Sequence, residues 1–268
     1  MSLRITTNVE AFNAYRNLNA TQGALAKSME RLSSGYRINR GADDAAGLGI
    51  SESMRSTIRG LAQAQKNIQD GVSLVQTAEG NLSEVHSMLQ RVRELAVQYN
   101  NGAISAEGRN AIQTEVNQLA SEIDRVFTQA KFNGIALLTG TSSVTFQVGA
   151  NDGESISVSI GTVSGAATSG WVSFSTGTTT MISNIDNAIA AVSARRSTLG
   201  AVQNRLEISM AVQAAYQENL TSAESRIRDV DMAEEMVKFT KNQILSQAGQ
   251  SMLAQANAAP QQVLQLLR

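Results

Sequence analysis

The sequence predicts a mainly α fold, an elongated antiparallel helical coiled-coil bundle with a small β-hairpin region. Three observations carry that expectation. Apolar residues recur at seven-residue intervals over long stretches. The only proline is Pro260, so nothing interrupts a helix before it. Gly, Ser and Thr become dense in a single segment, residues 132–180, where short runs alternate apolar with polar.

In chain order, the first element is a weakly patterned arm. Ala11, Leu18, Leu25 and Leu32 fall seven apart, with Tyr15 and Met29 at the companion positions but Asn8 and Gln22 there too. The strongest pattern follows. Leu61, Ile68, Val75, Leu82, Leu89 and Ala96 are spaced by seven, and Ala64, Gly71, Ala78, Val85, Val92 and Tyr99 stand three residues after each. Ile50, Met54 and Ile58 extend the stripe upstream. A helix from Ala45 to Tyr99 would run roughly 80 Å at about 1.5 Å per residue. Asn100-Asn101-Gly102 ends it with residues that tolerate a left-handed backbone.

A second stripe, Ile112, Val116, Leu119, Ile123 and Val126, again has seam spacing. Ser105 and Gly108 before it are not a capping box, although Glu107 favours a helix start by its charge. Within 132–180 the runs Val144–Val148, Ile156–Ile160 and Trp171–Phe174 alternate, and Asn151-Asp152-Gly153 predicts a hairpin turn between the first two. The third long stripe is Ile185, Val192, Leu199, Leu206, Leu220 and Ile227, broken at Gln213. Ala188, Val202, Tyr216, Ala223 and Val230 accompany it, with Arg195 and Ser209 as polar exceptions. Three seams from distant parts of the chain need one another, because none can leave its apolar edge in water.

Beyond them Met232, Met236, Val237, Ile244, Leu245, Met252 and Leu253 continue helically, with Gly249 a weak point. Val263, Leu264, Leu266 and Leu267 form an apolar tail. Neither arm carries enough pattern to stand alone as a helix. Leu18, Leu25, Leu32, Ile244, Met252, Leu253, Val263, Leu264 and Leu267 are therefore expected to bury their edges against each other or against other copies.

Composition narrows the function. Apolar residues are 42% of the chain but aromatics only 4%, which suits thin bundles with medium aliphatic seams. A net charge of −1 with interspersed signs gives no footprint for nucleic acid. Cysteine is absent, which removes thiol chemistry and thiolate metal sites. No run of about 18 apolar residues predicts membrane insertion. The first residues show no apolar block and no small-residue cleavage site, so an exported chain would not use an ordinary signal peptide.

An enzyme needs a constellation of groups, and none is visible. His86 is the only histidine and flanks a coiled-coil seam, which makes it a surface residue before a catalytic base. Asp43-Asp44 lacks the spaced oxygen ligands of a calcium loop, and better fits a helix start that favours negative charge. Gly47-Leu48-Gly49 lacks the third glycine and the strand of a phosphate loop. No catalytic residue, cofactor or metal is expected.

Ser33-Ser-Gly-Tyr-Arg-Ile-Asn39, Asp43-Asp-Ala-Ala-Gly-Leu48, Gln90-Arg-Val-Arg-Glu-Leu-Ala-Val-Gln98 and Phe132-Asn-Gly-Ile135 resemble the N-terminal half of bacterial flagellins. Ser225-Arg-Ile-Arg-Asp229, Gln243-Ile-Leu245, Met252-Leu-Ala-Gln-Ala-Asn257 and Val263-Leu-Gln-Leu-Leu-Arg268 resemble their C-terminal end. The likeness covers about residues 1–140 and 185–268, and ordered motifs at both ends make it specific.

It implies a secreted, extracellular structural subunit of the flagellar filament, exported by the flagellar type III apparatus. Residues 1–44 and 229–268 would be the arms of an inner coiled-coil domain, 45–131 and 181–228 the helices of a rod domain, and 132–180 an outward-facing β region. Its partners would be copies of itself, an export chaperone, and cap and hook-junction proteins. The alternatives are a hook–filament junction protein of the same superfamily, or a secreted effector or adhesin with coiled-coil arms.

Two residue sets follow from the same resemblance. Arg37 and Arg40 beside Asp43 and Asp44 are candidates for salt bridges orienting the junction between layers. Arg91, Leu95 and Glu115 match the face that the flagellin-sensing Toll-like receptor binds in some members. That face would pack between subunits in a filament. Leu95 lies outside the expected seam, so it either packs on a neighbouring layer or is left for a partner.

Overall fold

The computed structural model describes residues 8–139, 143–159 and 181–266, with side chains as far as residue 258. Its helices are α1 (Val9–Ser34), α2 (Ala45–Tyr99), α3 (Ala106–Gln129), α4 (Met181–Arg228) and α5 (Met232–Leu266). The strands are β1 (Lys131–Phe132), β2 (Ile135–Ala136), β3 (Ser143–Gln147) and β4 (Ser155–Ser159). They fall into two compact units, one of residues 57–218 and one of the two chain ends, 1–56 and 219–268. The expected strand at Trp171–Phe174 lies outside the described residues.

Local chemistry sets the helix ends. Asn8 caps α1 by accepting the Ala11 N–H, and Gly35 closes it at φ 75°, its N–H bonded to the Arg31 carbonyl. Asp44 Oδ1 accepts the Gly47 N–H at 2.8 Å, so the acid pair does open a helix. Ser105, which makes no capping box, is nonetheless the N-cap of α3 through the Gly108 N–H. Asp231 Oδ1 accepts from the Ala233 and Glu234 N–H groups at the start of α5.

In the unit of residues 57–218 the long heptad behaves as predicted. Leu61, Ile68, Val75, Leu82, Leu89 and Ala96 are buried, and so is each companion from Ala64 to Tyr99. From Ile68 onward the apolar ones join α3 and α4 residues in one core. Upstream, the stripe is not carried into a core: Ile50 is exposed and Met54 and Ile58 are half-buried. The α3 seam is displaced by one residue for part of its length. Ala120 and Phe127 are buried where Leu119 and Val126 were expected, and those two are only partly covered. Along α4 burial runs from Ile185 through Leu206 and then opens, leaving Ile208, Val212 and Tyr216 exposed.

Two antiparallel hairpins complete this unit. In the larger, Val144 faces Val158 and Phe146 faces Ile156 across β3 and β4, and Gly153 takes a positive φ of 86° in the connection. Asn67 Nδ2 on α2 donates to the Gln147 carbonyl at 3.2 Å and seats the hairpin. The smaller pair, β1 with β2, turns on Asn133 and Gly134, both at positive φ (47° and 81°). Asn-Gly between Phe132 and Ile135 is a hairpin signal that the sequence did carry.

The unit of the chain ends is built on α1 packed against α5. Where α1 stops, the chain pairs with the break between α4 and α5. Arg37 N–H donates to the Arg228 carbonyl at 2.7 Å, Val230 N–H donates to the Gly35 carbonyl at 3.0 Å, and Tyr36 bridges Asp229. Arg228 lies over the Tyr36 ring, 4.9 Å from its centre, and also reaches Glu52 at 2.6 Å. Breaks from opposite ends of the sequence thus stabilise each other.

Candidate assembly surface

The rows by which α1 and α5 face each other are not the most apolar ones. On α1 the covered row is Ala11, Ala14, Leu18, Thr21, Leu25, Ser28 and Leu32, spaced three and four apart, with Glu30 and Arg31 partly covered beside it. The companions of the leucines are therefore Ala14, Thr21 and Ser28, whereas the sequence suggested Tyr15 and Met29, which are exposed. On α5 the covered row is Glu235, Phe239, Asn242, Ser246, Gly249, Leu253 and Ala256, again at seam spacing. Small and polar residues fill nine of these fourteen positions, so the helices approach closely. A Cβ at Gly249 would stand 3.3 Å from the Leu18 side chain, which explains a glycine at the weak point of α5.

One polar pair lies buried inside the seam. Ser28 Oγ donates to Glu235 Oε1 at 2.6 Å, and both residues are buried. Arg31 lies 3.6 Å from the same carboxylate. A buried carboxylate is retained only where such partners compensate its lost hydration, and a shifted register would leave it bare. The sequence pattern missed this cluster because Ser and Glu do not register as seam residues.

Many apolar residues of the arms nevertheless lie outside these rows. Val237 is 69% and Ile244 60% exposed, and Met232, Met236, Leu245 and Met252 are exposed as well. Met236, Val237, Thr240, Lys241, Ile244 and Leu245 line a shallow, largely apolar groove. Val9, Phe12, Tyr15 and Met29 are likewise exposed on α1. Of the residues expected at an assembly surface, Leu18 is buried within the pair and Leu25, Leu32 and Leu253 are half-covered. Ile244 and Met252 face outward. The side chains of Val263, Leu264 and Leu267 lie outside the described residues.

The charged set near the start of α2 divides its partners in a way the spacing did not reveal. Asp43 pairs with Lys27 at 2.6 Å and accepts the Asn39 and Arg40 N–H groups, whereas Asp44 is the cap of α2. Arg40 pairs with Glu30 at 2.9 Å, and the Arg37 guanidinium donates to the Ile227 carbonyl at 2.6 Å. The Lys27 ammonium, then the Arg40 N–H, hold the Asp43 carboxyl down at about 2, from 3.8. A carboxyl depressed on folding stabilises above its unfolded value and loses that contribution as pH falls through the folded one. Acidifying from about pH 4 to about pH 2 is thus expected to lower the melting temperature of wild type more than that of Asp43→Asn. Equal losses in circular-dichroism melts would count against the ion pair.

In the other unit, Arg91 and Glu115 join α2 to α3 at 2.9 Å, and Arg91 also reaches Glu94 at 3.2 Å. Glu115, then Glu94, raises the Arg91 pKa. Both side chains of the α2–α3 pair remain about half exposed, so its contribution to stability is small. Leu95 differs. It is 2% exposed and belongs to the core, because α2 is flanked by both α3 and α4 and needs a wider apolar face than one seam. Of the two places open to Leu95, packing is the one it takes.

A chain that closes one core on itself, yet turns the apolar faces of both its ends outward, defines the class of subunits completed by other chains, the helical-arm polymers. Residues 5–143 match the family model of the bacterial flagellin N-terminal helical region, and residues 182–267 that of the C-terminal helical region. The chain belongs to the bacterial flagellin family, and it is a structural subunit of the flagellar filament. It is 51% identical to a flagellin of Halalkalibacterium halodurans over 98% of this chain and 99% of that one. It is 48% identical to the flagellar filament 33 kDa core protein of Treponema phagedenis, over 98% and 99%. The crystal structure of Bacillus cereus flagellin is similar with a TM-score of 0.52 at 28% identity, covering 55% of this chain and 88% of that chain.

Proposed function

We propose that α1 and α5 form the inner layer of the filament, with the outward apolar faces of the arms packed on copies of the same chain. The observation that carries this is the exposure of Met236, Val237, Ile244, Leu245 and Met252 along one arm. Contacts of this kind join different patches on successive copies, so they propagate into an open helix and do not close into a ring. Residues 1–44 and 229–268 are the inner arms, 45–131 and 181–228 the rod, and 132–180 the outward part. Export through the flagellar type III apparatus, a chaperone covering the arms beforehand, and cap and hook-junction proteins at the filament ends complete the assignment.

The test is elongation. Purified full-length chain added to sheared filament seeds is expected to lengthen them, followed by light scattering and electron microscopy. A chain that stays monomeric with seeds present would remove the assignment. The exposed Arg91–Glu115 pair is proposed as a contact between subunits, and in the free chain as part of the surface met by the flagellin-sensing Toll-like receptor. A reporter-cell assay with monomer tests the receptor part, and no response would remove that part alone.

A further inference from the structure

Inside an α-helix each carbonyl accepts from the N–H four residues on, and proline has none to give. Pro260 therefore leaves the Ala256 carbonyl without its intrahelical donor, yet α5 continues past it to Leu266. The missing donor comes from the other end of the chain. Asn8 Nδ2 donates to the Ala256 carbonyl at 2.7 Å, across 248 positions of sequence. The same side chain caps α1, its Oδ1 accepting the Ala11 N–H at 3.0 Å. Both functional atoms of one amide are used, and only this orientation of the amide satisfies both partners.

We propose that Asn8 is a positioning residue for assembly: it replaces the hydrogen bond that Pro260 deletes and so sets the register in which the two chain ends pair. The proposal rests on the filament role above. The Ser28–Glu235 pair checks the register toward the end of α1, whereas the small residues toward its start, Ala11 and Ala14, do not, since a shift brings similar residues opposite them. Sliding by one helical turn would carry Asn8 about 5.4 Å along α5 and strand the Ala256 carbonyl. The last turns of α5 are therefore helical at least cost where the start of α1 lies alongside. A proline in this helix converts ordinary helix propagation into a check on the partner helix, α1.

A double-mutant cycle isolates this role. Asn8→Ser keeps an equivalent cap for α1 but is too short to reach α5. In the wild-type background it is expected to raise the critical concentration for seeded elongation about fivefold. Pro260→Ala restores the N–H, and in that background Asn8→Ser is expected to change the critical concentration by less than about 1.5-fold. Equal costs in both backgrounds would overturn the proposal by assigning the effect to capping or packing, and no cost in the first would overturn it as well. Hydrogen exchange of the α5 amides after Ala256 reads the same coupling without elongation: it should quicken with Asn8→Ser only when Pro260 is present, and unchanged exchange overturns the proposal. Failure of the wild-type chain itself to elongate would strike the filament role instead.

Discussion

Ile244→Asp is expected to abolish filament growth while leaving the helical core of residues 57–218 intact. Ile244 is 60% exposed in the single chain and lines the groove with Met236, Val237 and Leu245. Burying an isoleucine against a neighbouring copy contributes about 1.5–3 kcal/mol, and an unpaired carboxylate in its place costs several more. At a factor of ten for every 1.4 kcal/mol, the critical concentration should rise more than about a hundredfold. The cost falls on association, since the substitution on a solvated face changes folding stability by no more than about 0.5 kcal/mol. Seeded elongation and thermal melting measured on one preparation separate the two. Normal elongation would show that this face is not used.

Phe127→Ala should have the opposite profile. Phe127 is fully buried at the end of α3, in the core shared with α2 and α4. Removing its ring costs about 3–5 kcal/mol, from lost transfer energy and the cavity left behind. In a unit of this size that lowers the melting temperature by roughly 10 °C. Ile135→Ala, at an exposed position in β2, serves as the control and should melt within about 0.5 kcal/mol of wild type. Should the two substitutions melt alike, α3 would not belong to the cooperative core.

The long helices were legible because their pattern is redundant. Twelve seam positions along α2, from Leu61 to Tyr99, are all buried, and its ends at Ala45 and Tyr99 were readable from the pattern and from Asn100-Asn101-Gly102. The arms were legible as helices but not as a pair. Periodicity shows that a helix has an apolar face without showing whether the partner on that face is in the same chain. Hence Tyr15 and Met29 were assigned to a seam that Ala14, Thr21 and Ser28 occupy. Ser28 with Glu235, and Asn8 with Ala256, stayed hidden because a polar pair separated by more than two hundred residues leaves no local spacing to count. Periodicity left two places open to Leu95 for a related reason: a single seam of period 3.5 undercounts the covered face of a helix flanked by two others. The Lys27–Asp43 pair shows the same limit for charge, since neighbouring charges of opposite sign in sequence need not be neighbours in space.

Oxidative footprinting puts the central physical claim to the most direct test. Met236 and Met252 lie exposed on the outward face of α5, while Met181 is buried in the core. Exposed methionines are converted to sulfoxides by dilute hydrogen peroxide, at a rate that follows their access to solvent. In the free chain Met236 and Met252 should oxidise quickly and Met181 slowly, as read by mass spectrometry of proteolytic fragments. In filaments all three should be slow, because copies of the chain now cover the arms. Oxidation of Met236 and Met252 as fast in the filament as in the free chain would contradict the account.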